Sequence, residues 1–104
     1  MEQSEVIKRI REVAAQILPK GSSLWLFGSR ARGNAHLDSD YDLLILLDKD
    51  TLTLDDYRHS IPLRQLGWNI NVTINPQVYS VSEWKEYRFT PFYSNVEHDK
   101  RILL

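Results

Sequence analysis

One segment of the sequence decides how the rest is interpreted. It runs Gly28-Ser29-Arg30-Ala31-Arg32-Gly33, continues through the turn-rich residues 34–39, and ends in Asp40-Tyr41-Asp42. The apolar residues 24–27 precede it and the apolar residues 43–47 follow it. Short apolar runs bounded by turn signals are typical of buried strands, and a run apolar on both faces is typical of a central one. We therefore predict strands at 24–27 and 41–47, with the second at the centre of a sheet.

The first half of this segment has the residue types of an anion-binding turn. Gly28 permits a sharp turn at a strand end and the close approach of a ligand. Ser29 supplies a hydroxyl, and the N–H groups of the following turn can converge on a phosphate. Arg30 and Arg32 carry fork-shaped donors that suit phosphate oxygens. For Arg32 the alternative is a structural contact that braces the loop against Asp38.

The second half of the segment holds two carboxylates at positions i and i+2. On a strand, Asp40 and Asp42 would project from the same face. Two like charges so close raise each other's pKa unless a cation lies between them, and Mg²⁺ accepts such hard oxygen ligands. Alone, the pair is more typical of a solvated turn. Preceded by Gly28-Ser29, it favours a metal site beside an anion-binding turn.

Helical and strand signals flank the segment. An apolar stripe predicts an amphipathic first helix with Ser4 as its N-cap, and it comprises Val6, Ile7, Ile10, Val13, Ala14, Ile17 and Leu18. Thr53 and Asp56 form a capping-box pattern for a second helix that we expect to end at Gly67. Residues 68–74 alternate between apolar and polar and predict a strand with Asn69, Asn71 and Thr73 on its polar face.

The C-terminal third carries two further helix signals. Ser80 with Glu83 is a capping box, and Thr90-Pro91 suits the N-cap and first position of a last short helix. Residues 102–104 are interpreted as a final edge strand or as a segment that docks on a partner. The whole order predicts an α+β fold in which a small mixed sheet is packed with helices, mainly on one face.

Composition limits the class of protein. A length of 104 residues suits one domain, 1–104, and the absence of cysteine excludes disulfides and thiolate metal sites. The formal net charge of -1 argues against nucleic acid as a partner. The N-terminus is polar and acidic, and the longest apolar run is far shorter than the about 20 residues that span a bilayer. We expect a cytoplasmic protein with no membrane association.

The central segment resembles a known family. Gly28-Ser29, ten intervening residues and Asp40-x-Asp42 are similar to the signature of the polymerase-β-type nucleotidyltransferases, in particular the minimal nucleotidyltransferases of bacteria and archaea. The resemblance implies that Gly28, Ser29 and Arg30 bind a nucleoside triphosphate, with ATP favoured, and that Asp40 and Asp42 are catalytic and hold Mg²⁺. It also implies transfer of a nucleoside monophosphate to a hydroxyl, and a HEPN-type partner protein of a toxin–antitoxin pair.

One departure from the family pattern concerns the catalytic carboxylates. Active members add a third carboxylate on a later strand, and we align the predicted strand 68–74 with it, which places Asn71 where the acid is expected. An amide is neutral and is not a base at neutral pH. Three hypotheses follow: an enzyme that transfers AMP from ATP, a weak or inactive relative that acts as a binding or antitoxin partner of a HEPN-type protein, and a nucleotide-responsive regulatory domain.

Overall fold

The computed structural model describes all 104 residues, and its four strands form a single mixed sheet. The strands are β1 Ser23–Phe27, β2 Tyr41–Leu47, β3 Ile74–Ser80 and β4 Arg101–Ile102, in the order β3-β2-β1-β4. β1 is antiparallel to both β2 and β4, whereas β3 runs parallel to β2. The predicted strands at 24–27 and 41–47 are confirmed, and β2 is central.

Five α-helices and one 3₁₀ segment accompany the sheet. They are α1 Gln3–Ile17, α2 Ser29–Arg32, the 3₁₀ helix Leu54–Ser60, α3 Ile61–Ile70, α4 Val81–Glu86 and α5 Pro91–Asp99. The N-cap of α1 is Glu2 and not Ser4, because the helix begins one residue before the predicted cap. None of the helices combines the length and the apolar character needed to cross a membrane.

The two faces of the sheet are covered unequally, as predicted. A core cluster of 14 buried residues lies on one face, where strand residues such as Leu26 and Ile45 meet α1 and α3. A second cluster of 5 buried residues lies on the other face, beneath α4 and α5, and is built around Trp25 and Trp84. The alternation of strand side chains produces this division. It also leaves Asp42 on the thinner side, in line with Leu44 and Leu46.

The prediction of a strand over 68–74 is wrong. α3 continues through Trp68 to Ile70, Asn71 caps it in the left-handed conformation with φ 60°, and β3 begins only at Ile74. Gly67 lies inside this helix, where a Cβ would be 2.7 Å from the Val72 carbonyl oxygen. Gly67 therefore lets α3 pack closely against the segment that follows it, at Val72, and it does not end the helix. Trp68, expected on an apolar strand face, is 75% exposed.

The caps and the C-terminus follow the sequence signals more closely. The Ser80 hydroxyl accepts a hydrogen bond from the Glu83 N–H, and the Thr90 hydroxyl accepts one from the Tyr93 N–H. At the C-terminus, β4 pairs with β1 at the edge of the sheet, and the Leu103 N–H donates to the Leu24 carbonyl at 2.8 Å. The edge-strand interpretation of the last residues is confirmed.

Candidate functional site

The site begins at the turn between β1 and α2. Gly28 has φ 75° and ψ -160°, a combination that is essentially restricted to glycine. A Cβ on Gly28 would lie 2.5 Å from Oδ2 of Asp42, which follows because Asp42 pairs with the adjacent Phe27 across β1 and β2. The structure thus brings Gly28 and Asp42 into direct proximity, with Ser29 opening the first turn of α2.

The two aspartates sit at the start of β2 in different environments. Asp40 is exposed and immediately precedes the strand, whereas Asp42 is half-buried within it. Burial raises the pKa of Asp42 above its usual range, and the charge of Asp40 adds to that rise. A hydrogen bond from Asn75 and the charge of Arg32 oppose it. The two carboxylates therefore repel each other electrostatically, as neighbouring ligands of a cation would.

The polar residue opposite the aspartates is Asn75 and not Asn71. In the parallel register of β2 and β3, Asp42 is the partner of Asn75. The Asn75 amide nitrogen donates to Asp42 Oδ1 at 3.5 Å. Asn71 lies at the end of α3, before the strand begins, so our alignment of the third carboxylate with Asn71 is corrected to Asn75. The conclusion that β3 presents no carboxylate beside Asp42 holds at the new position.

A sequence signal for Asn75 was present. Ile74, Pro76 and Val78 are buried and alternate with less buried residues, and the run ends at the Ser80 capping box. Pro76 makes such a run look unsuited to a strand, but β3 is an edge strand, where proline is tolerated. The strand prediction for 68–74 concealed this alternation.

Arg30 is engaged by the loop that leads to the aspartates. Its Nε and Nη2 donate to the Ser39 carbonyl at 3.2 and 3.1 Å, Nη2 also donates to the Leu37 carbonyl, and Nη1 donates to the Gln3 side chain. Its guanidinium carbon lies 4.4 Å from the centre of the Tyr41 ring. These contacts fix residues 37–41 relative to α1 and α2. The predicted contact of Arg30 with a nucleotide stays a prediction.

Arg32 does not brace the loop against Asp38. Its Nη1 lies 2.8 Å from Oδ2 of Asp99 at the end of α5, and the two side chains are 46% and 9% exposed. The C-terminal helix packs on the sheet face that carries Asp42, so a carboxylate remote in sequence is nearer than the one in the loop. Sequence spacing alone gave no indication of this pair.

The donor set suits one divalent cation of the magnesium type. Asp40 and Asp42 supply carboxylate oxygens, and the Asn75 side chain places an amide group beside Asp42. Burial raises the pKa of Asp42 and so disfavours its ionised form, which a bound cation would favour. No cluster of three or more His, Cys, Asp or Glu side chains is present. The candidate ligands are thus the two carboxylates, because the Asn75 amide directs its nitrogen toward Asp42.

The fold is that of a nucleotidyltransferase domain. The sequence matches the nucleotidyltransferase domain family over residues 7–103, and the chain belongs to this family. No curated protein sequence matches.

Toxin–antitoxin complexes are among the solved structures with a similar fold. A complex with AMP-PNP shares 17% identity at a TM-score of 0.63, over 94% of this chain and 72% of that chain. A complex of tri-AMPylated Shewanella oneidensis HEPN toxin with MNT antitoxin shares 14% identity at a TM-score of 0.61, over 99% and 72%. The MntA–HepT complex shares 14% identity at a TM-score of 0.59, over 98% and 72%. At these identities the likeness establishes the fold, which is that of the polymerase-β-type nucleotidyltransferases.

Proposed function

We propose that residues 1–104 act as one minimal nucleotidyltransferase domain that binds ATP and transfers AMP to a hydroxyl group. The observation that carries the proposal is the contact geometry at Gly28, where an added Cβ would lie 2.5 Å from Asp42 Oδ2. This contact brings the Asp42 carboxylate against the turn that, in the proposal, receives the phosphates. In the proposal Gly28 and Ser29 bind the triphosphate, and Asp40 and Asp42 hold Mg²⁺. The protein would act in the cytoplasm.

The reaction is a displacement at the α-phosphorus of ATP. A bond forms between the acceptor oxygen and the α-phosphorus, and the bond from the α-phosphorus to the bridging oxygen breaks. Pyrophosphate leaves with that electron pair, and the hydroxyl proton passes to water. When bound, Mg²⁺ neutralises charge on the phosphates, which together with positioning is most of what phosphoryl transfer requires. Asp40 and Asp42 orient the ion, and the Gly28–Ser29 turn orients the chain of phosphates.

Asn75 makes the chemical step slow. It occupies the strand position beside Asp42 that would suit a base, but its amide cannot accept the hydroxyl proton. General-base assistance contributes about 10²–10⁴-fold to a rate. Nucleotide binding does not depend on this group, so it is retained while turnover is low.

The acceptor in this proposal is a hydroxyl on a HEPN-type partner protein. Support comes from the similar solved structures, which are toxin–antitoxin complexes, one with AMP-PNP and one with a tri-AMPylated HEPN toxin. A second candidate function, inhibition of such a partner by binding alone, is favoured specifically by the amide of Asn75 opposite Asp42. Both functions use the same partner and differ in whether AMP is transferred.

The test is labelling of an acceptor. The protein is incubated with Mg²⁺, ATP labelled at the α-phosphate and lysate of the native host, with the double variant Asp40→Asn/Asp42→Asn in parallel. Asp55→Asn is the matched control, because Asp55 is 82% exposed and paired only with Arg58. A labelled protein that requires Asp40 and Asp42 but not Asp55 supports transfer. Label that persists in the double variant contradicts it, and ATP binding without label supports the second candidate.

A further inference from the structure

The outer edge of β3 carries backbone groups that the sheet does not use. β3 is the first strand in the order β3-β2-β1-β4, so only its inner edge pairs, with β2. The Thr73 carbonyl accepts a hydrogen bond from the Tyr41 N–H and therefore points to the inner edge. Successive residues of a strand direct their N–H and C=O groups to opposite edges. The backbone groups of Pro76, Val78 and Ser80 therefore point outward.

Two side chains of opposite charge cover the ends of this outer edge. Arg64 Nη2 donates to the Pro76 carbonyl at 3.3 Å. The Ser80 N–H donates to Glu83 Oε1 at 3.2 Å. Val78 lies midway between them, is only 9% exposed, and has no side-chain partner for its N–H or its carbonyl. Backbone polar groups in such a place are rarely left unpaired in a protein. The edge thus has a cation at one end, an anion at the other, and an open donor and acceptor between them.

The same edge lines a cavity of about 380 Å³ that has three tyrosines in its walls. Tyr57 and Tyr87 are 48% and 40% exposed, and the Tyr79 ring lies 5.4 Å from the Tyr87 ring. Neither Arg64 nor Glu83 forms an ion pair within the domain. Exposed tyrosines and an arginine without a carboxylate partner are enriched in protein–protein interfaces.

A second copy of this chain, placed antiparallel along the edge, has the complementary pattern of groups. With Val78 opposite Val78 of the second copy, the two residues exchange both N–H···O=C hydrogen bonds. Two positions away on either side, Pro76 of one copy then faces Ser80 of the other. The Arg64 end of each edge therefore meets the Glu83 end of the other edge, and the two-fold axis repeats this contact.

We propose that the chain forms a two-fold symmetric dimer through the outer edge of β3, which joins the two four-stranded sheets. The two Arg64–Glu83 contacts between copies set the register, and Tyr57 and Tyr87 flank it. Pro76 has no N–H, which opposes pairing with other strands in other registers. The dimer is closed, because each copy uses its one β3 edge. The inference goes beyond the proposed function and uses none of the residues assigned there to nucleotide or metal.

The test is sedimentation velocity of the full chain between about 1 µM and 1 mM, the range of a weak interface. The unmodified protein is expected to form a dimer within this range. Arg64→Glu and Glu83→Lys, each alone, place like charges opposite each other and should weaken the dimer at least about tenfold. The double variant Arg64→Glu/Glu83→Lys should restore the dimer, because the reversed charges meet again.

Arg58→Glu is the matched control, because it makes the same change of charge at a residue that is 78% exposed and paired with Asp55. It is expected to leave the dimer unchanged. Glu83 also caps α4, so Glu83→Lys should lower the melting temperature, and the double variant should share that loss. Recovery of the dimer in the double variant therefore reports the charge pairing and not the stability of the fold. An unmodified protein that stays monomeric, or a double variant that dimerises as weakly as the single variants, would overturn the proposal, whereas ATP binding is measured separately and bears only on the proposed function.

Discussion

The two sides of the site differ in the polar groups that they present. The β1–β2 side presents Gly28, Asp40 and Asp42 in close proximity, which are the groups that would hold phosphate and metal. The β3 side, in register with Asp42, presents the amide of Asn75 where a base would stand. In the proposed function, the groups for binding and the group for proton transfer would therefore lie on separate strands. The residue on β3 can differ while the contact between Gly28 and Asp42 is kept.

The largest effect is expected from restoring the carboxylate on β3. Asn75→Asp should raise the rate of AMP transfer by about 10²-fold or more, the range of general-base assistance. The measurement is release of pyrophosphate in single-turnover conditions with saturating Mg²⁺-ATP and the labelled acceptor. The matched control is Asn71→Asp, because Asn71 caps α3 outside the sheet. An equal rise in both variants would contradict the assignment to Asn75.

The next largest effect concerns Gly28, in the turn between β1 and α2. Gly28→Ala should destabilise the fold by about 3 kcal/mol and abolish ATP binding, because the backbone conformation there is strained for any other residue and the new Cβ meets Asp42. Gly33→Ala is the matched control. Gly33 also has a positive φ, 84°, but nothing lies within 4 Å of an added Cβ.

Thermal unfolding and ATP titration of both glycine variants separate strain from contact. Gly33→Ala should lower stability by about 1–2 kcal/mol, the penalty of a left-handed residue, and leave ATP binding intact. Similar losses of affinity in the two variants would show that the proximity of Gly28 and Asp42 is not what the nucleotide requires.

The β1–β2 half was predictable because its signals are local. Apolar runs on both sides of Gly28-Ser29 determine where the strands lie, and the hydrogen bonds within the caps at Ser80 and Thr90 span only three residues. The antiparallel pairing of Phe27 with Asp42 spans residues 28–40, which include α2, and only the structure shows it. Nothing beyond neighbouring residues was needed to place these elements.

The β3 half was not predictable, because long-range packing determines it. The apolar residues Ile70, Val72 and Ile74 alternate like a strand, yet Gly67 lets the chain pack closely and extends α3 to Ile70. The pairing of Arg32 with Asp99 likewise depends on where α5 docks, 67 positions along the chain. Residue types can nominate such groups but do not show which partner each arginine will have.

The smallest effect concerns the charge of Asp42 itself. Because burial raises the pKa of Asp42 in the folded state, its contribution to stability is fully present below the ordinary value of about 3.9 and is lost as pH rises through the folded pKa. Ionised Asp42 therefore destabilises the metal-free protein at pH 7, and Asp42→Asn should raise the melting temperature. The rise should be less than the about 4–8 °C that 1 kcal/mol produces in a domain of this size. Mg²⁺ should raise the melting temperature of the unmodified protein but not of Asp42→Asn. A variant that melts lower at pH 7 than the unmodified protein would show that the carboxylate stabilises the fold and is not held there for a ligand.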